Sequence, residues 1–161
     1  MRTLAALAIV CLVGCAEVAP YSNARWGFAT SFPYSVKEKE RGGGLALTSS
    51  NPSDTISYLV SVLPLDDATL KQGPARILAD AIDATLRETG GKLISTSDVT
   101  LDGFSGKQFE IRTDGMIATC RLYLVGDRLY LPMLIAAAYA TPPMDAATFL
   151  AAFKLLDPPK R

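Results

Sequence analysis

Three cysteines are the residues of this 161-residue chain best suited to covalent chemistry: Cys11, Cys15 and Cys120. A cysteine thiolate can act as a nucleophile or bind a metal. The sequence has no histidine, the side chain that most often serves as general base near neutral pH and as zinc ligand. The strand register described below places Cys120 between Phe109 and Met133 on an apolar face. We therefore predict that Cys120 is a structural core cysteine and not a redox or nucleophilic thiol.

Carboxylates are the other groups that could do chemistry, because 16 Asp and Glu residues are present. Paired carboxylates hydrolyse glycosides only at a defined separation, and regularly spaced acids around a glycine bind Ca²⁺. The regular spacing of a calcium-binding loop is absent from the segments that contain Asp66, Asp67, Asp80, Asp83, Asp98 and Asp102. The sequence also places no two carboxylates at the separation that glycoside hydrolysis needs. The glycines at 42–44 are not followed by the Lys-Ser/Thr pair of a phosphate-binding loop. We predict no catalytic residue, no metal site and no cofactor. The alternative function is a small cell-envelope enzyme that uses carboxylates or the lone thiol.

The first residues of the chain are typical of an export signal. Met1-Arg2 is a short positive start, and residues 4–13 are ten apolar residues. In a helix they reach about 15 Å, roughly half of a bilayer's hydrocarbon core. Such a segment is too short to span a membrane and indicates a signal peptide.

The end of this leader, Leu12-Val13-Gly14-Cys15, resembles the lipobox of bacterial lipoproteins. The resemblance implies a diacylglyceryl group on Cys15 and cleavage between Gly14 and Cys15. Residues 1–14 would then be the signal peptide and residues 15–24 a tether. In two-membrane bacteria an aspartate after the lipidated cysteine retains such proteins at the inner membrane. Ala16 stands there instead, which favours the outer membrane, facing the periplasm. An ordinary secretory signal or a retained hydrophobic leader is the alternative.

Charge and composition describe a folded domain without a polyanion partner. Hydrophobic residues make up 49% of the chain, enough for a core. Lys plus Arg and Asp plus Glu each number 16, and removal of residues 1–14 takes away Arg2 alone. Because such a balance produces no long-range positive field, we predict no nucleic-acid partner.

Residues 25–157 are predicted to form one domain, with a tail at 158–161. Helical spacing of apolar residues, Pro74 at the start and Gly90-Gly91 at the stop predict a long helix at about 74–89. A second helix is expected at about 142–153, capped by Thr141. Residues 37–44 are expected to be a charged, glycine-rich loop. Strands are predicted at 26–32, 45–49, 55–63 and 93–101.

Two turn dipeptides, Asp114-Gly115 and Gly126-Asp127, predict hairpins and fix their register. Counting from each turn pairs Ile111 with Ala118, Phe109 with Cys120, Leu124 with Leu129, Leu122 with Leu131, and Cys120 with Met133. The apolar pairs from both turns fall on one face, although the turns were counted independently. The sequence therefore predicts an α+β domain with a central antiparallel sheet of about six to seven strands.

The order of these elements resembles that of the PsbP-like superfamily. Four stretches carry the resemblance: Asp102-Gly103-Phe104-Ser105-Gly106, residues 121–124, residues 126–130 and residues 147–153. They are core and turn patterns that do not include a functional site. The resemblance implies helices packed on an antiparallel sheet, and protein binding or assembly support without catalysis. Function follows weakly from fold alone.

The second face of the predicted hairpins offers a candidate partner-binding surface. It carries Arg112, Arg121, Tyr123 and Tyr130, and Arg and Tyr are enriched in binding hot spots. In the alternative, the closing helix covers the tyrosines. We predict a periplasmic lipoprotein, anchored through lipid on Cys15, whose non-catalytic domain binds or assembles an envelope protein or component. A purely structural envelope lipoprotein is a further possibility.

Overall fold

A computed structural model describes residues 18–159, apart from the side chain of residue 41. These residues form ten strands and three helices. The strands are β1 (Ala19–Asn23), β2 (Phe28–Phe32), β3 (Lys37–Arg41), β4 (Gly44–Ser50), β5 (Ile56–Pro64), β6 (Lys92–Leu101), β7 (Phe104–Arg112), β8 (Met116–Val125), β9 (Arg128–Ala137) and β10 (Lys154–Leu155). The helices are α1 (Asp67–Leu70), α2 (Pro74–Thr89) and α3 (Ala146–Ala152).

Seven strands form one antiparallel sheet in the order β3-β4-β5-β9-β8-β7-β6. The predicted α+β class, the central sheet and the helix at 74–89 are confirmed. The hairpin register is confirmed as well: Ile111 faces Ala118, Phe109 faces Cys120, and Cys120 faces Met133. The turn counting succeeded because Gly115 and Gly126 adopt the positive φ angles that tight hairpin turns require.

The two ends of the large sheet are named here after the first and last residues of β5. At the Ile56 end, neighbouring strands place Ala136, Ile117, Arg112 and Lys92 side by side. At the Pro64 end, the neighbours on β9 and β8 are Arg128 and Val125. Strands of nine or ten residues separate these ends by about 30 Å.

Helix α2 covers part of one sheet face. It buries Ile77, Leu78 and Ile82 against a cluster that includes Phe109 and Ile111. The apolar spacing that predicted the helix is therefore its core-facing stripe. Helix α2 makes its main sheet contacts with β7 and β8, and an opening remains between it and the same face of β4 and β5.

A small sheet and α3 cover the other face. The small sheet has the order β1-β2-β10. Phe28 and Phe32 of β2 are fully buried there, and the ring of Phe149 in α3 lies 5.8 Å from that of Phe32. The large sheet is thus a central layer with a hydrophobic core on each side.

Residues 19–23, expected to belong to the tether, form strand β1. This strand pairs with β2, and the ring of Tyr21 packs 6.0 Å from those of Phe28 and Phe32. Aromatic packing therefore extends the folded domain towards Cys15. Ala19 lies opposite Phe32, and the Tyr34 carbonyl that follows accepts a hydrogen bond from Ser49 Oγ. Ser49 is paired with Tyr58, two residues after Ile56, so the described chain enters the domain at the Ile56 end.

The prediction of a loop at residues 37–44 is also wrong. Residues 37–41 form the edge strand β3, and Gly42-Gly43 is the two-residue turn into β4. Residues 37–40 are charged and exposed. The segment therefore lacks the alternation of apolar and polar residues that predicts a strand. Charged side chains on an edge strand also discourage pairing with other chains.

The closing helix begins at Ala146, four residues later than expected. Asp145 is its cap, because the Asp145 side chain accepts a hydrogen bond from Thr148 N. The expected cap, Thr141, precedes Pro142-Pro143, and both backbone groups of Met144 bind the Tyr58 hydroxyl. These bonds hold the chain outside the helix until Asp145. No helix within residues 18–159 is long and apolar enough to cross a bilayer.

Candidate functional site

The predicted partner face lies in the interior of the domain. Tyr123 and Tyr130 are only 2% and 3% exposed. Phe153, which follows α3, packs on both, with ring centroids 6.3 Å from Tyr123 and 5.8 Å from Tyr130. Burial raises the pKa of both phenols. The alternative in which the closing helix covers the tyrosines is therefore the arrangement that the structure has.

Arg121 ties α3 to the sheet. Its Nε donates to Gln108 Oε1 at 2.8 Å, and its Nη1 donates to the carbonyl oxygen of Leu150 at 3.3 Å. A cation near the last carbonyls of a helix is favourable, because the helix dipole is negative there. Arg121 is thus explained as a packing residue of the folded domain.

Arg112, the fourth residue of the predicted face, is separate from the other three. It is exposed at the Ile56 end, opposite Ile117. The structure therefore brings Arg121, Tyr123 and Tyr130 together beneath α3 and leaves Arg112 outside. The predicted lipidation and cleavage residues, Cys15 and Gly14, lie outside the described residues.

Cys120 is the core residue that the hairpin register predicted. Its side chain is fully buried, and burial raises the pKa of its thiol from 9.0 to about 12. A thiol in this environment remains protonated and unreactive at neutral pH. Within residues 18–159, no three His, Cys, Asp or Glu side chains lie close enough together to hold a metal ion.

A groove of about 400 Å³ runs between α2 and the uncovered part of the sheet. It exists because α2 lies over β7 and β8, while the face of β4, β5 and β9 continues beyond the helix. The groove lies on the half of these strands towards the Pro64 end. Its lining residues are Gly44, Leu45, Ala46, Ser61, Val62, Leu63, Ala81, Ala84, Thr85, Glu88, Leu122, Leu129 and Leu131.

The groove is apolar, with one charged residue at its margin. Helix α2 contributes the small residues Ala81, Ala84 and Thr85 to the lining. Their short side chains leave space between the helix and the sheet. Leu63 on the sheet side is 50% exposed, and Glu88 is the single charged residue of the lining. Concave apolar surfaces with a few polar groups are the usual form of binding sites. This surface can hold an apolar segment and one cation.

Sequence reasoning missed this groove. A signal was present, because the buried residues of α2 at positions 77, 78 and 82 are large, while positions 81, 84 and 85 are small. Only the position of α2 relative to β9 shows that the small side lies at an opening.

A second cluster closes the Pro64 end. Two guanidinium groups lie over the Trp26 ring, with Arg25 Cζ 5.5 Å and Arg128 Cζ 5.4 Å from its centroid. Arg128 Nη1 also donates to the Arg25 carbonyl oxygen, and Tyr130 Oη donates to the Trp26 carbonyl oxygen. These contacts fix the β1–β2 turn on the large sheet, so we assign this cluster a structural role.

The sequence matches no family model and no curated protein. Among solved structures, the fold is similar to the solution structure of cyanobacterial PsbP (CyanoP) from Synechocystis sp. PCC 6803. The TM-score is 0.64 at 15% identity, over 92% of this chain and 98% of that one. A crystal structure from Bacteroides thetaiotaomicron VPI-5482 has a TM-score of 0.42 at 15% identity, over 89% of this chain and 53% of that one. The first comparison shows that this chain has a PsbP-like fold.

Proposed function

We propose that the mature chain is a lipid-anchored periplasmic protein whose domain binds another envelope protein and does no chemistry of its own. The observation that carries the binding proposal is the open apolar groove beside α2. Its lining offers side chains suited to packing and a single carboxylate, Glu88. The thiol version of the enzyme alternative loses support, because Cys120 is buried and its pKa is about 12.

The partner's chemistry follows from the lining. Leucine and alanine side chains would bury an apolar segment, and the removal of apolar surface from water favours association. Glu88 would attract a lysine or arginine on that segment, and a charge at the rim of an interface contributes more to partner choice than to affinity. We therefore propose an apolar segment with one basic residue as the occupant.

A photocrosslinker tests the groove directly. Ala84 lines the groove, whereas Ala79 is exposed on the same helix and outside the lining. With p-benzoylphenylalanine at position 84, we expect a crosslinked partner in cells, and at position 79 we expect none. Glu88→Lys should reduce the yield at position 84 by about tenfold, as one opposed charge pair can. Asp83→Lys is the matched charge change outside the lining and should have no effect. Equal products from positions 79 and 84, or no effect of Glu88→Lys, would contradict the proposed site.

Anchoring needs its own test. The leader and the Leu12-Val13-Gly14-Cys15 motif support it, and two or more acyl chains give a stable anchor. Cells grown with labelled palmitate should incorporate label into the parent protein, and mass spectrometry should find the acyl groups on the peptide that begins with Cys15. The Cys15→Ala variant should remain unlabelled. Absence of label from the parent would overturn the lipoprotein proposal and leave the groove proposal untouched.

A further inference from the structure

Covalent length limits how far the domain can stand from its proposed anchor. Cys15 is three residues before Val18, the first described residue, and three residues span about 11 Å at most. The headgroup layer of one leaflet is itself about 5–8 Å thick. Strand β1 begins at Ala19, at the Ile56 end. That end cannot stand far from the headgroups if Cys15 carries lipid.

We infer that the Ile56 end faces the bilayer and that Tyr139 enters the headgroup layer. The inference rests on the proposed lipidation of Cys15. Tyr139 follows the end of β9 and is 83% exposed. Backbone hydrogen bonds fix its neighbours, from Ala138 N to Gly115 O at 2.9 Å and from Ala140 N to Ala137 O at 2.8 Å. A tyrosine held outward on such a loop suits the membrane interface, where its ring meets apolar surface and its hydroxyl meets water.

The charges at this end indicate which lipid it meets. Lys92 and Arg112 are exposed and have no ion-pair partner within residues 18–159. Two exposed carboxylates, Asp54 and Asp114, lie in the turns at the same end, and a third, Asp145, is exposed beside Tyr58. Because these carboxylates are at least as numerous as the two cations, the end has no excess positive charge for anionic lipid. The occupant is therefore the headgroup region of a zwitterionic phospholipid surface.

This orientation also has a consequence for the groove. Its sheet residues lie on the half of β4, β5 and β9 towards the Pro64 end, whereas Glu88 is four residues before Lys92 at the Ile56 end. The orientation therefore places the charged end of the groove nearer to the anchoring membrane and its apolar floor farther from it.

Tryptophan fluorescence tests the orientation with the full, lipidated chain. The parent has one tryptophan, Trp26, buried at the Pro64 end. The protein is placed in phosphatidylcholine vesicles that contain a lipid brominated near the glycerol. We expect the Tyr139→Trp variant to lose at least half of its added fluorescence, and Trp26 of the parent to lose none. Leu63→Trp, an exposed position near the Pro64 end, is the matched control and should also remain unquenched. Adding phosphatidylglycerol should leave all three results unchanged.

Each other outcome has a separate meaning. An unquenched Tyr139→Trp variant, in protein whose Cys15 peptide carries the acyl mass, overturns the orientation and leaves the lipid anchor standing. Equal quenching at positions 139 and 63 means that the domain lies on its side, and it also overturns the orientation. Quenching that rises with phosphatidylglycerol overturns the zwitterionic assignment. A Cys15 peptide without acyl mass overturns the proposed anchor, and this inference with it.

Discussion

The Tyr58 hydroxyl fixes the segment that leads into α3. It donates to Met144 O at 2.6 Å and accepts from Met144 N at 3.1 Å, and all three groups are buried. Tyr58→Phe would leave both backbone groups of Met144 without a partner, and each such group costs about 1–3 kcal/mol. We expect the free energy of unfolding to fall by about 2–4 kcal/mol, measured by urea unfolding.

Two other tyrosines calibrate this loss. Tyr130→Phe removes one hydrogen bond, from Tyr130 Oη to the Trp26 carbonyl oxygen, and should cost about half as much. Tyr34 is only partly buried and makes no side-chain hydrogen bond within the described residues, so Tyr34→Phe should change stability by less than about 0.5 kcal/mol. Equal losses in all three variants would mean that ring packing, and not the Met144 contacts, makes Tyr58 important.

Cys120 gives a prediction in alkaline solution. Burial raises the pKa of its thiol from 9.0 to about 12, so the unfolded chain loses this proton at lower pH than the folded protein. The contribution of Cys120 to stability is therefore complete below pH 9 and declines as pH rises from 9 towards 12, by up to about 1.4 kcal/mol per pH unit. Urea unfolding of the parent and of Cys120→Ala at several pH values measures the difference. Parallel pH profiles would show that Cys120 ionises equally in both states.

For individual residues, the sequence could predict the surroundings of Cys120, whereas for Tyr123 it left two alternatives open, a partner-binding face and a cover by the closing helix. Cys120 was placed by counting from Gly115 and Gly126, because hairpin turns are local signals. Tyr123 is covered by Phe153, thirty residues later, and its neighbour Tyr130 by Phe28 of β2. Strand periodicity shows which face a residue is on, but it contains no information about what packs against that face.

Gly106 shows how closely β7 and β8 approach. A Cβ atom at this position would lie 2.5 Å from the Leu122 carbonyl oxygen and 2.5 Å from Tyr123 Cδ1. The Leu122 oxygen belongs to the backbone of a central strand and cannot move aside alone. We expect Gly106→Ala to destabilise the domain by about 1–3 kcal/mol, as overpacked core substitutions do, measured by urea unfolding. Ser105→Ala, at the exposed neighbour, should change stability by about 0.5 kcal/mol or less. Similar losses at both positions would contradict the clash.

Elements with a buried apolar pattern were predictable, and elements that pack by other means were not. Strand β5 alternates buried and half-buried residues along most of its length, and α2 has a clear stripe, so both appeared in the sequence. Strand β3 is charged on both sides because it forms an edge. Strand β1 is anchored mainly by Tyr21. A strand that is anchored by one aromatic residue, or that lies at the edge of a sheet, has no periodic pattern of apolar residues in its sequence.

In residues 18–159 the large sheet is covered on both faces, but not to the same extent. The candidate groove exists because one face is only partly covered. One face is covered by the small sheet and α3, which bury Tyr123 and Tyr130. The other is covered by α2 above β7 and β8. The sequence predicts two of the three helices, α2 and α3, but the groove depends on which strands lie beneath α2. That choice is made by side-chain packing between elements distant in sequence.

Hydrogen exchange across the large sheet would test this layering. Strands β5, β9 and β8 lie at the centre and are largely buried, whereas residues 92–98 of β6 are exposed on both faces at an edge. Local opening of an exposed edge costs less than opening of the core. We expect the amides of β6 to exchange at least about 100-fold faster than those of β9, which corresponds to roughly 2.7 kcal/mol. Mass spectrometry of peptides from the purified protein measures both. Equal protection of β6 and β9 would mean that another chain pairs with this edge, and the α2 groove would then no longer be the first surface to search for a partner.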